Sequence, residues 1–158
     1  MLVPDENMAE ETKITLRPAG AHDLNAINQV IESAVMTWDL PERVKKLSLD
    51  SYRYTEMDML HLELIVALDS MQQVSGIAAF EEANEKVLPE NCQALLLHGL
   101  YVLPEKQGQG IGSALLIAAQ TWAKENSYDT MLVKAHKDAE VFFITHGMQR
   151  LEAEHSGQ

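Results

Sequence analysis

The pattern of hydrophobic and polar positions changes period several times along the chain, and each change predicts a new secondary-structure element. Residues 13–17 alternate, with Ile14 and Leu16 on one side and polar side chains on the other, which is typical of a short half-buried strand. Residues 21–37 then carry hydrophobic side chains three and four positions apart, and this spacing predicts an amphipathic helix.

The next two segments are less regular. Pro41 is suited to the first helical position of a short second helix, in which Val44 and Leu47 are expected to face the core. Residues 51–60 have poor periodicity, so we predict a loop with room for one helical turn.

The remaining pattern predicts a sheet with further helices packed on it. Residues 62–68 and 74–81 are strand-like and flank a polar turn, which indicates an antiparallel hairpin. After a polar loop, the predicted elements are a strand at 95–102, a helix at 110–125, a strand at 130–135, a short helix at 138–146 and a last strand at 148–153. This order predicts an α+β fold, in which helices flank a mixed, mostly antiparallel sheet.

The segment between the 95–102 strand and its helix carries the most distinctive pattern. Pro104 ends the strand, and Gly108, Gly110 and Gly112 alternate with other residues just before an apolar helical face. The start of a helix leaves free N–H groups pointing outward, and the helix dipole favours negative charge there. The sequence therefore predicts an anion site formed by this backbone.

Two familiar phosphate motifs do not fit this segment. A Walker loop ends in Gly-Lys-Ser/Thr, whereas this one ends in Ile111-Gly112-Ser113. The dinucleotide fingerprint needs two residues between its second and third glycines, and only one separates Gly110 from Gly112. A glycine-rich surface turn without a ligand is the alternative interpretation, which the apolar helical face that follows disfavours.

Composition narrows the class of protein and of partner. The 158 residues suit one domain, placed at residues 13–155, and 46% hydrophobic residues are ordinary for a globular chain. A net charge of -12, from 24 acidic against 12 basic residues, argues against nucleic acid as a partner. The same charge mildly favours a cationic partner, although solubility alone explains most of it.

The termini and the single cysteine add expectations about location. Residues 1–12 carry acidic residues without a base, so we predict a flexible N-terminal tail and no secretory signal. No run of 18 apolar residues occurs, and no membrane partner is expected. Cys92 is alone, which excludes an internal disulfide and makes a cytoplasmic setting the default. The spacing of the histidines predicts no metal site.

Several motifs fall in one order along the chain: Arg17-Pro18-Ala19 with Asp23-Leu24, then Leu100-x-Val102-x-Pro104 with Gln107-x-x-Gly110-x-Gly112, then Ala139-x-x-Phe142-Phe143-x-x-x-Gly147-Met148. Together they resemble the GNAT superfamily of N-acyltransferases, whose acyl-CoA-binding motif is matched by the central pair. The resemblance covers roughly residues 13–152. It implies the GNAT-like fold, in which the fourth and fifth strands splay apart and the pantetheine arm of CoA lies between them.

The resemblance implies acetyl-CoA as acyl donor, held largely by the main chain, and no metal. Strand amides and carbonyls would face the pantetheine, loop amides would bind the diphosphate, and one aromatic side chain of the last helix completes the cofactor-binding set. The residues are Leu100, Tyr101, Val102, Gln107, Gly108, Gln109, Gly110, Ile111, Gly112, Ser113 and Phe142.

The resemblance also implies the reaction, in which an amine attacks the thioester directly and no covalent enzyme intermediate forms. His98 lies on the central strand about where many members carry a glutamate that acts as general base, and an imidazole suits that task near neutral pH. A structural, hydrogen-bonded histidine is the alternative interpretation for His98, and the sequence does not decide between them.

The general acid is not matched. Many relatives place a tyrosine of the last helix beside the thiol sulfur, and the matching residue here is Phe143, which has no proton to donate. A common asparagine before that helix is matched by His136. We therefore name Tyr101 and His136 as candidate proton donors, with water as the alternative.

The acceptor pocket is expected between the first two helices and the hairpin side of the sheet. Trp38, Tyr52, Tyr54 and Met57 are the candidates, because aromatic side chains beside acids can bind an amine by cation–π contact. Each of them singly is also explained by packing at the edge of a core.

Three functions from different classes remain open at this stage. The leading one is N-acetyltransfer from acetyl-CoA to a primary amine of a small molecule or a protein. The second is a non-catalytic acyl-CoA-binding module, which the missing tyrosine favours, and the third is an interaction protein without a ligand. Members of the family are often dimers, which leaves a homodimer open as the oligomeric state.

Overall fold

The structure, a computed structural model, describes residues 14–84, 91–133 and 137–148. The strands are β1 (Thr15–Pro18), β2 (Glu63–Leu68), β3 (Val74–Glu82), β4 (Ala94–Val102) and β5 (Thr130–Val133). The helices are α1 (Leu24–Val35), α2 (Glu42–Tyr52), α3 (Glu56–His61), α4 (Ile111–Glu125) and α5 (Lys137–Thr145). Short 3-10 turns at Ala21–Asp23 and Pro104–Lys106 lead into α1 and into the glycine-rich loop.

The five described strands form one sheet in the order β1-β2-β3-β4-β5. Neighbours from β1 to β4 are antiparallel, and β4 pairs with β5 in parallel. Parallel neighbours need a crossover, and here α4 provides it. The predicted α+β fold with a mixed, mostly antiparallel sheet between helices is confirmed.

The two faces of the sheet bury separate hydrophobic clusters, as the period-two alternation of its strands requires. The cluster under α4 contains Phe80, Leu95, Leu97, Leu115, Leu116 and Phe143. The cluster under α1 contains Ile27, Ile31, Val35, Leu64, Val66 and Ile77. Each strand of the hairpin therefore supplies side chains to both clusters.

A glycine on β3 determines how closely α4 approaches the sheet. A Cβ added at Gly76 would lie 2.8 Å from Ile111 Cγ2 and 3.0 Å from Leu115 Cδ1, closer than real Cβ contacts. The missing side chain lets the first turns of α4 lie directly on the hairpin. This contact anchors the start of the helix, which is where the predicted anion site lies.

The prediction for residues 51–60 was wrong in part. The structure has a helix, α3, from Glu56 to His61, where the periodicity predicted a loop. Thr55 Oγ1 accepts a hydrogen bond from the Asp58 backbone N–H, and the Asp58 carboxylate accepts one from the Thr55 backbone N–H. This reciprocal cap stabilises a short helix without an apolar stripe. The pair Thr55-x-x-Asp58 is the local sequence signal of this helix cap, and hydrophobic periodicity does not contain it.

The predicted orientation of α2 was also wrong. Val44 is 43% exposed and Leu47 is 72% exposed, so neither faces the core. Lys45 and Leu49 are buried instead. The Lys45 ammonium donates a hydrogen bond to the Met36 carbonyl at 2.8 Å. This bond stabilises the cation in a buried position, whereas a pattern based on hydrophobicity alone predicts an exposed lysine.

Some predicted elements differ at their ends or lie outside the described residues. The first helix is shorter than predicted, because residues 21–23 form a 3-10 turn. The strand predicted at 130–135 is described as far as Val133. The tail at 1–12 and the last strand predicted at 148–153 lie outside the described residues, apart from Met148, which is not in a strand.

An ion pair joins β1 to the turn before α1, and it predicts the response of stability to acid. Both Asp23 oxygens accept from the Arg17 guanidinium, at 2.8 and 2.9 Å, and Asp23 Oδ2 also accepts from the Gly20 backbone N–H at 2.7 Å. The Arg17 hydrogen bonds hold the pKa of Asp23 at about 2, below its ordinary 3.8. The stability that it contributes is therefore fully present above pH 3.8 and is lost as pH falls through 2.

We expect Asp23→Asn to lower the free energy of unfolding at neutral pH by about 1 to 2 kcal/mol. The value is modest because Arg17 remains one-third exposed. Urea denaturation at pH 7 and at pH 2.5 measures it, and the difference from wild type should shrink at the lower pH. Asp39→Asn, at an exposed position, is the matched control. An equal loss in both variants would contradict a specific role for the ion pair.

Candidate active site

The glycine-rich loop leaves the first turn of α4 open. Gly108 and Gly110 have φ of +83° and +86°, in the left-handed region that glycine adopts without strain. Gly110 is the N-cap of α4, and no side chain of the described residues caps it. Ile111, the next residue, is buried and anchors the turn in the core. The amides that begin this 15-residue helix thus form an exposed cradle that suits an anion.

An aromatic ring supports the cradle from behind. A Cβ added at Gly112 would lie 3.4 Å from Phe142 Cζ and 3.8 Å from Val102 Cγ2. The predicted cofactor residue Phe142 therefore lies close to the loop, and Val102 at the end of β4 lies close to the same glycine. Phe143, at the position where the resemblance implies a tyrosine, is 7% exposed and belongs to the core.

The last helix also meets the loop through a hydrogen bond that sequence reasoning did not predict. Ser113 Oγ lies 2.7 Å from His146 Nε2, and His146 Nδ1 lies 2.7 Å from the Phe142 carbonyl oxygen. Because a carbonyl only accepts, Nδ1 carries the hydrogen and Nε2 of the neutral ring accepts from Ser113. This contact of His146 with the loop has no local sequence signal.

Among the described residues, β5 lies beside only the first half of β4. Pairing between β4 and β5 runs from Ala94 opposite Thr130 to Leu97 opposite Val133 and ends there among the described residues. The second half of β4, from His98 to Val102, continues without β5 while remaining paired with β3. Backbone groups of Leu100 and Val102 on that side have no partner among the described residues and suit hydrogen bonds to an extended ligand arm. We call this side of β4, from His98 to Val102, the gap; residues 134–136, which follow β5, lie outside the described residues.

His98 lies at an irregularity of β4. On β3, Ala79 is opposite Gly99 and the next residue, Phe80, is opposite Leu97, so His98 is the extra residue of a β-bulge. The bulge turns the His98 side chain away from the core, and its side chain is 45% exposed. The side chain is thus accessible at the point where the two strands separate.

Two side chains contact the ring of His98. Tyr54 Oη lies 3.3 Å from Nδ1, and Glu81 Oε2 lies 4.0 Å from Nε2. Burial is the main cause that raises the pKa of Tyr54 far above its usual range, and nearby groups add to it, Glu81 among them. Tyr54 therefore keeps its proton at neutral pH. Sequence reasoning placed Tyr54 with the acceptor and missed Glu81, whose position follows only from the register of β3.

Tyr101 is close to the same group. A Cβ added at Gly99 would lie 2.6 Å from Tyr54 Oη and 2.7 Å from Tyr101 Cε2, so the bare glycine lets both rings approach the strand. Burial raises the pKa of Tyr101 to about 12. Because a thiol has a pKa of about 8.5, transfer of a proton from Tyr101 to a thiolate would be uphill. This disfavours Tyr101 as the proton donor, and His136, the other candidate, lies outside the described residues.

The predicted acceptor residues are brought together only in part. Trp38 and Tyr52 pack edge to face with ring centroids 5.1 Å apart, and both border the cluster under α1 that contains Tyr54. Met57 is 60% exposed on α3 and does not belong to this cluster. Three of the four predicted side chains thus share one face of the sheet, which is also the face of Tyr101.

The described residues contain neither a metal cluster nor a membrane-spanning helix. No group of three or more histidine, cysteine or acidic side chains in residues 14–84, 91–133 and 137–148 could hold a metal ion. None of the helices within these ranges is long and apolar enough to span a bilayer.

Comparisons with known proteins agree with this geometry. A family model described as an acetyltransferase (GNAT) domain matches residues 61–149, more than half of the chain. No protein of curated function matches the sequence.

Solved structures are similar over almost the whole chain. A GCN5-related N-acetyltransferase from Ralstonia eutropha has a TM-score of 0.74 at 15% identity, covering 89% of this chain and 95% of its own. A Trypanosoma brucei acetyltransferase has a TM-score of 0.64 at 14% identity, with the same coverage of 89% and 95%. AAC(6')-Iy, bound to the bisubstrate analogue CoA-S-monomethyl-acetylneamine, has a TM-score of 0.61 at 16% identity, covering 89% and 93%. At these identities the likeness shows the fold.

Proposed function

Since the chain belongs to the GNAT family of acetyltransferases, we propose that it transfers an acetyl group from acetyl-CoA to a primary amine, with His98 as general base. The observation that supports this most strongly is the conjunction of an open helix start, at Gly110, with a sheet gap that begins beside His98. A diphosphate and a thioester arm are the two parts of CoA that need these features.

The chain's own residues fit acetyl-CoA in separate ways. The amides of the Gly108–Ser113 loop would bind the diphosphate without a charged side chain, and Phe142 would support the loop. Leu100 and Val102 would hold the pantetheine by main-chain hydrogen bonds, whereas the main chain of Tyr101, the third residue predicted there, faces Ile77 of β3. When bound, acetyl-CoA supplies a thioester whose carbonyl accepts a nucleophile and whose thiol leaves.

His98 would act on that nucleophile. It is half-exposed at the point where the gap begins, so an incoming amine can reach it. The amine loses a proton to His98 as its nitrogen bonds to the carbonyl carbon, the C–S bond breaks, and the thiolate takes up a proton from water. The enzyme's remaining task is to hold the two reactants together, which by itself contributes much of the rate.

The side chains around the proposed acceptor site suit an amine substrate. Glu81 beside His98 and the aromatic groups of Trp38, Tyr52 and Tyr54 lie on the face of the sheet opposite α4. A carboxylate and aromatic faces both attract an ammonium group. The net charge of -12 would also steer a cationic acceptor toward the protein.

The second candidate function is a non-catalytic acyl-CoA-binding module. It is favoured by Phe143, which occupies the position of a proton donor and is buried in the core. The contacts of His98 with Tyr54 and Glu81 favour the enzyme, because a ligand-binding module has no need of them.

A two-step experiment separates these functions. Acetyl-CoA binding is measured by calorimetry, and CoA release is then followed chromatographically with a panel of polyamines, amino acids, an aminoglycoside and peptides with free amines. Chromatography is preferred because the free thiol of Cys92 would react with a thiol reagent. Amine-dependent, saturable CoA release supports the enzyme. Binding without release from any amine supports the module, and the absence of binding rejects both.

A further inference from the structure

A side chain of α1 holds Tyr54 by both of its backbone groups. The Tyr54 N–H donates to Asn28 Oδ1 at 2.8 Å, and Asn28 Nδ2 donates to the Tyr54 carbonyl at 2.9 Å. The side-chain amide of Asn28 has an acceptor oxygen and a donor nitrogen in one plane. It therefore pairs with the N–H and C=O of Tyr54 as the backbone of a neighbouring β-strand would. Residues 53–55 lie between α2 and α3 and belong to neither helix, and Asn28 thus determines where Tyr54 lies.

The side chain of Tyr54 transmits this position to His98. The residue is 5% exposed, its ring centroid lies 5.8 Å from that of His98, and its hydroxyl reaches Nδ1. Gly99 makes room for the hydroxyl, because any Cβ there would collide with it. A continuous set of contacts therefore runs from Asn28 through Tyr54 to one specific nitrogen of His98.

The other nitrogen of His98 faces an acid. Glu81 from β3 approaches Nε2, and Tyr54 approaches Nδ1 from the loop. Asp58 of α3 and Tyr101 of β4 act on Tyr54 electrostatically. Arg53, the cation adjacent to Tyr54 in sequence, is paired with Glu32 at 3.0 Å and Asp50 at 3.2 Å. These are the titratable groups that the described residues bring to this site.

We propose that Asn28 and Tyr54 are positioning residues that orient the ring of His98, while Glu81 stabilises the imidazolium that forms on it. In this arrangement the Tyr54 hydroxyl donates to Nδ1 of the neutral ring and Nε2–H faces the Glu81 carboxylate, which only accepts. When the ring takes the amine proton at Nδ1, the hydroxyl turns from donor to acceptor. The inference rests on the proposed function, since it specifies how the proposed base works.

Kinetics with an amine that releases CoA in the panel assay test the positioning role. Tyr54→Phe keeps the buried ring and loses the hydroxyl, and we expect kcat to fall roughly 10-fold with the KM for acetyl-CoA unchanged. Asn28→Ala should lower kcat in the same way. Asn126→Ala is a matched control, because that amide also bonds a backbone carbonyl, that of Trp122, but lies at the far end of α4.

The turnover rate tests the role of Glu81. A nearby carboxylate stabilises the charged imidazolium, so Glu81→Gln should lower kcat roughly 3- to 10-fold with the KM for acetyl-CoA unchanged. Glu105→Gln, which changes an exposed acid of the turn before the glycine loop, should leave kcat unchanged. An unchanged kcat in Glu81→Gln would overturn this part of the inference.

A measurement that needs no activity separates this inference from the proposed function. The 15N shifts of the His98 ring, assigned with His98→Gln, report which nitrogen carries the hydrogen. Wild type should show Nε2–H as the main neutral tautomer, because Nε2 faces a carboxylate and Nδ1 faces a hydroxyl, and Tyr54→Phe should shift the ratio toward Nδ1–H.

The outcomes are distinct. A tautomer that depends on Tyr54 in a protein that releases no CoA would reject the proposed function and keep the positioning role. Amine-dependent activity, with kcat, pH profile and tautomer ratio all unchanged in Tyr54→Phe, would overturn the positioning role. If Asn28→Ala does not fold, the Tyr54→Phe and Glu81→Gln results decide.

Discussion

Replacement of His98 by alanine is expected to lower kcat for acetyl transfer roughly 100- to 10,000-fold, the range that a positioned general base contributes. The physical reason is the position of the ring, which is exposed on the bulge of β4 at the start of the gap. Steady-state kinetics from pH 5.5 to 9 measure the effect. The acidic limb of the wild-type pH–rate profile should be absent in His98→Ala, because the variant has no imidazole at this position.

The control separates chemistry from binding. His98 lies outside the loop proposed to bind the diphosphate, so the Kd of acetyl-CoA should stay within twofold of wild type in calorimetry. His61→Ala, an exposed histidine at the end of α3, should retain full activity. A His98→Ala enzyme with wild-type kcat and an unmoved pH profile would return His98 to the structural interpretation.

Replacement of Gly110 by valine is expected to weaken acetyl-CoA binding roughly 10- to 100-fold. A β-branched residue in the left-handed region costs of order 1 to 3 kcal/mol, and relief of that strain would rotate the amides that start α4. An added Cβ meets no atom of the described protein within 4 Å, so the effect comes from the backbone and from the ligand. Isothermal calorimetry with acetyl-CoA and with CoA measures it.

Two variants of the same loop act as controls. Gly110→Asn should bind more tightly than Gly110→Val, because asparagine tolerates the left-handed conformation. Gly112→Ala adds a methyl group 3.4 Å from Phe142 without the backbone strain. We expect a smaller loss of acetyl-CoA affinity, of about two- to fivefold, because a slight shift of the Phe142 ring accommodates the methyl group. Equal affinities in all three variants and wild type would contradict a diphosphate site at this loop.

Local pattern was sufficient where one short segment contains the whole determinant. The loop from Gln107 to Ser113 and the strand before it carry their own signals, because glycine conformation, a proline stop and the start of a helix are all encoded within a few residues. The family resemblance and the order of most elements followed from that segment and its neighbours.

Local pattern failed where two local signals compete. In α2 the hydrophobic Val44 and Leu47 are exposed, and Lys45 is buried because a carbonyl of the preceding segment accepts a hydrogen bond from its ammonium group. In α3 the cap formed by Thr55 and Asp58 outweighs poor periodicity. Both outcomes depend on a hydrogen-bond partner, and hydrophobicity alone contains no information about partners.

The sequence by itself determined the family, the α+β sheet and the open start of α4, since each depends on residues adjacent in the chain. Only the tertiary structure decided the surroundings of His98. Tyr54 is 44 residues away from it and Asn28 is 26 residues from Tyr54, so no local window contains the set. The β3–β4 register and its bulge bring Glu81 to the ring, and a shift of one residue would turn it to the other face.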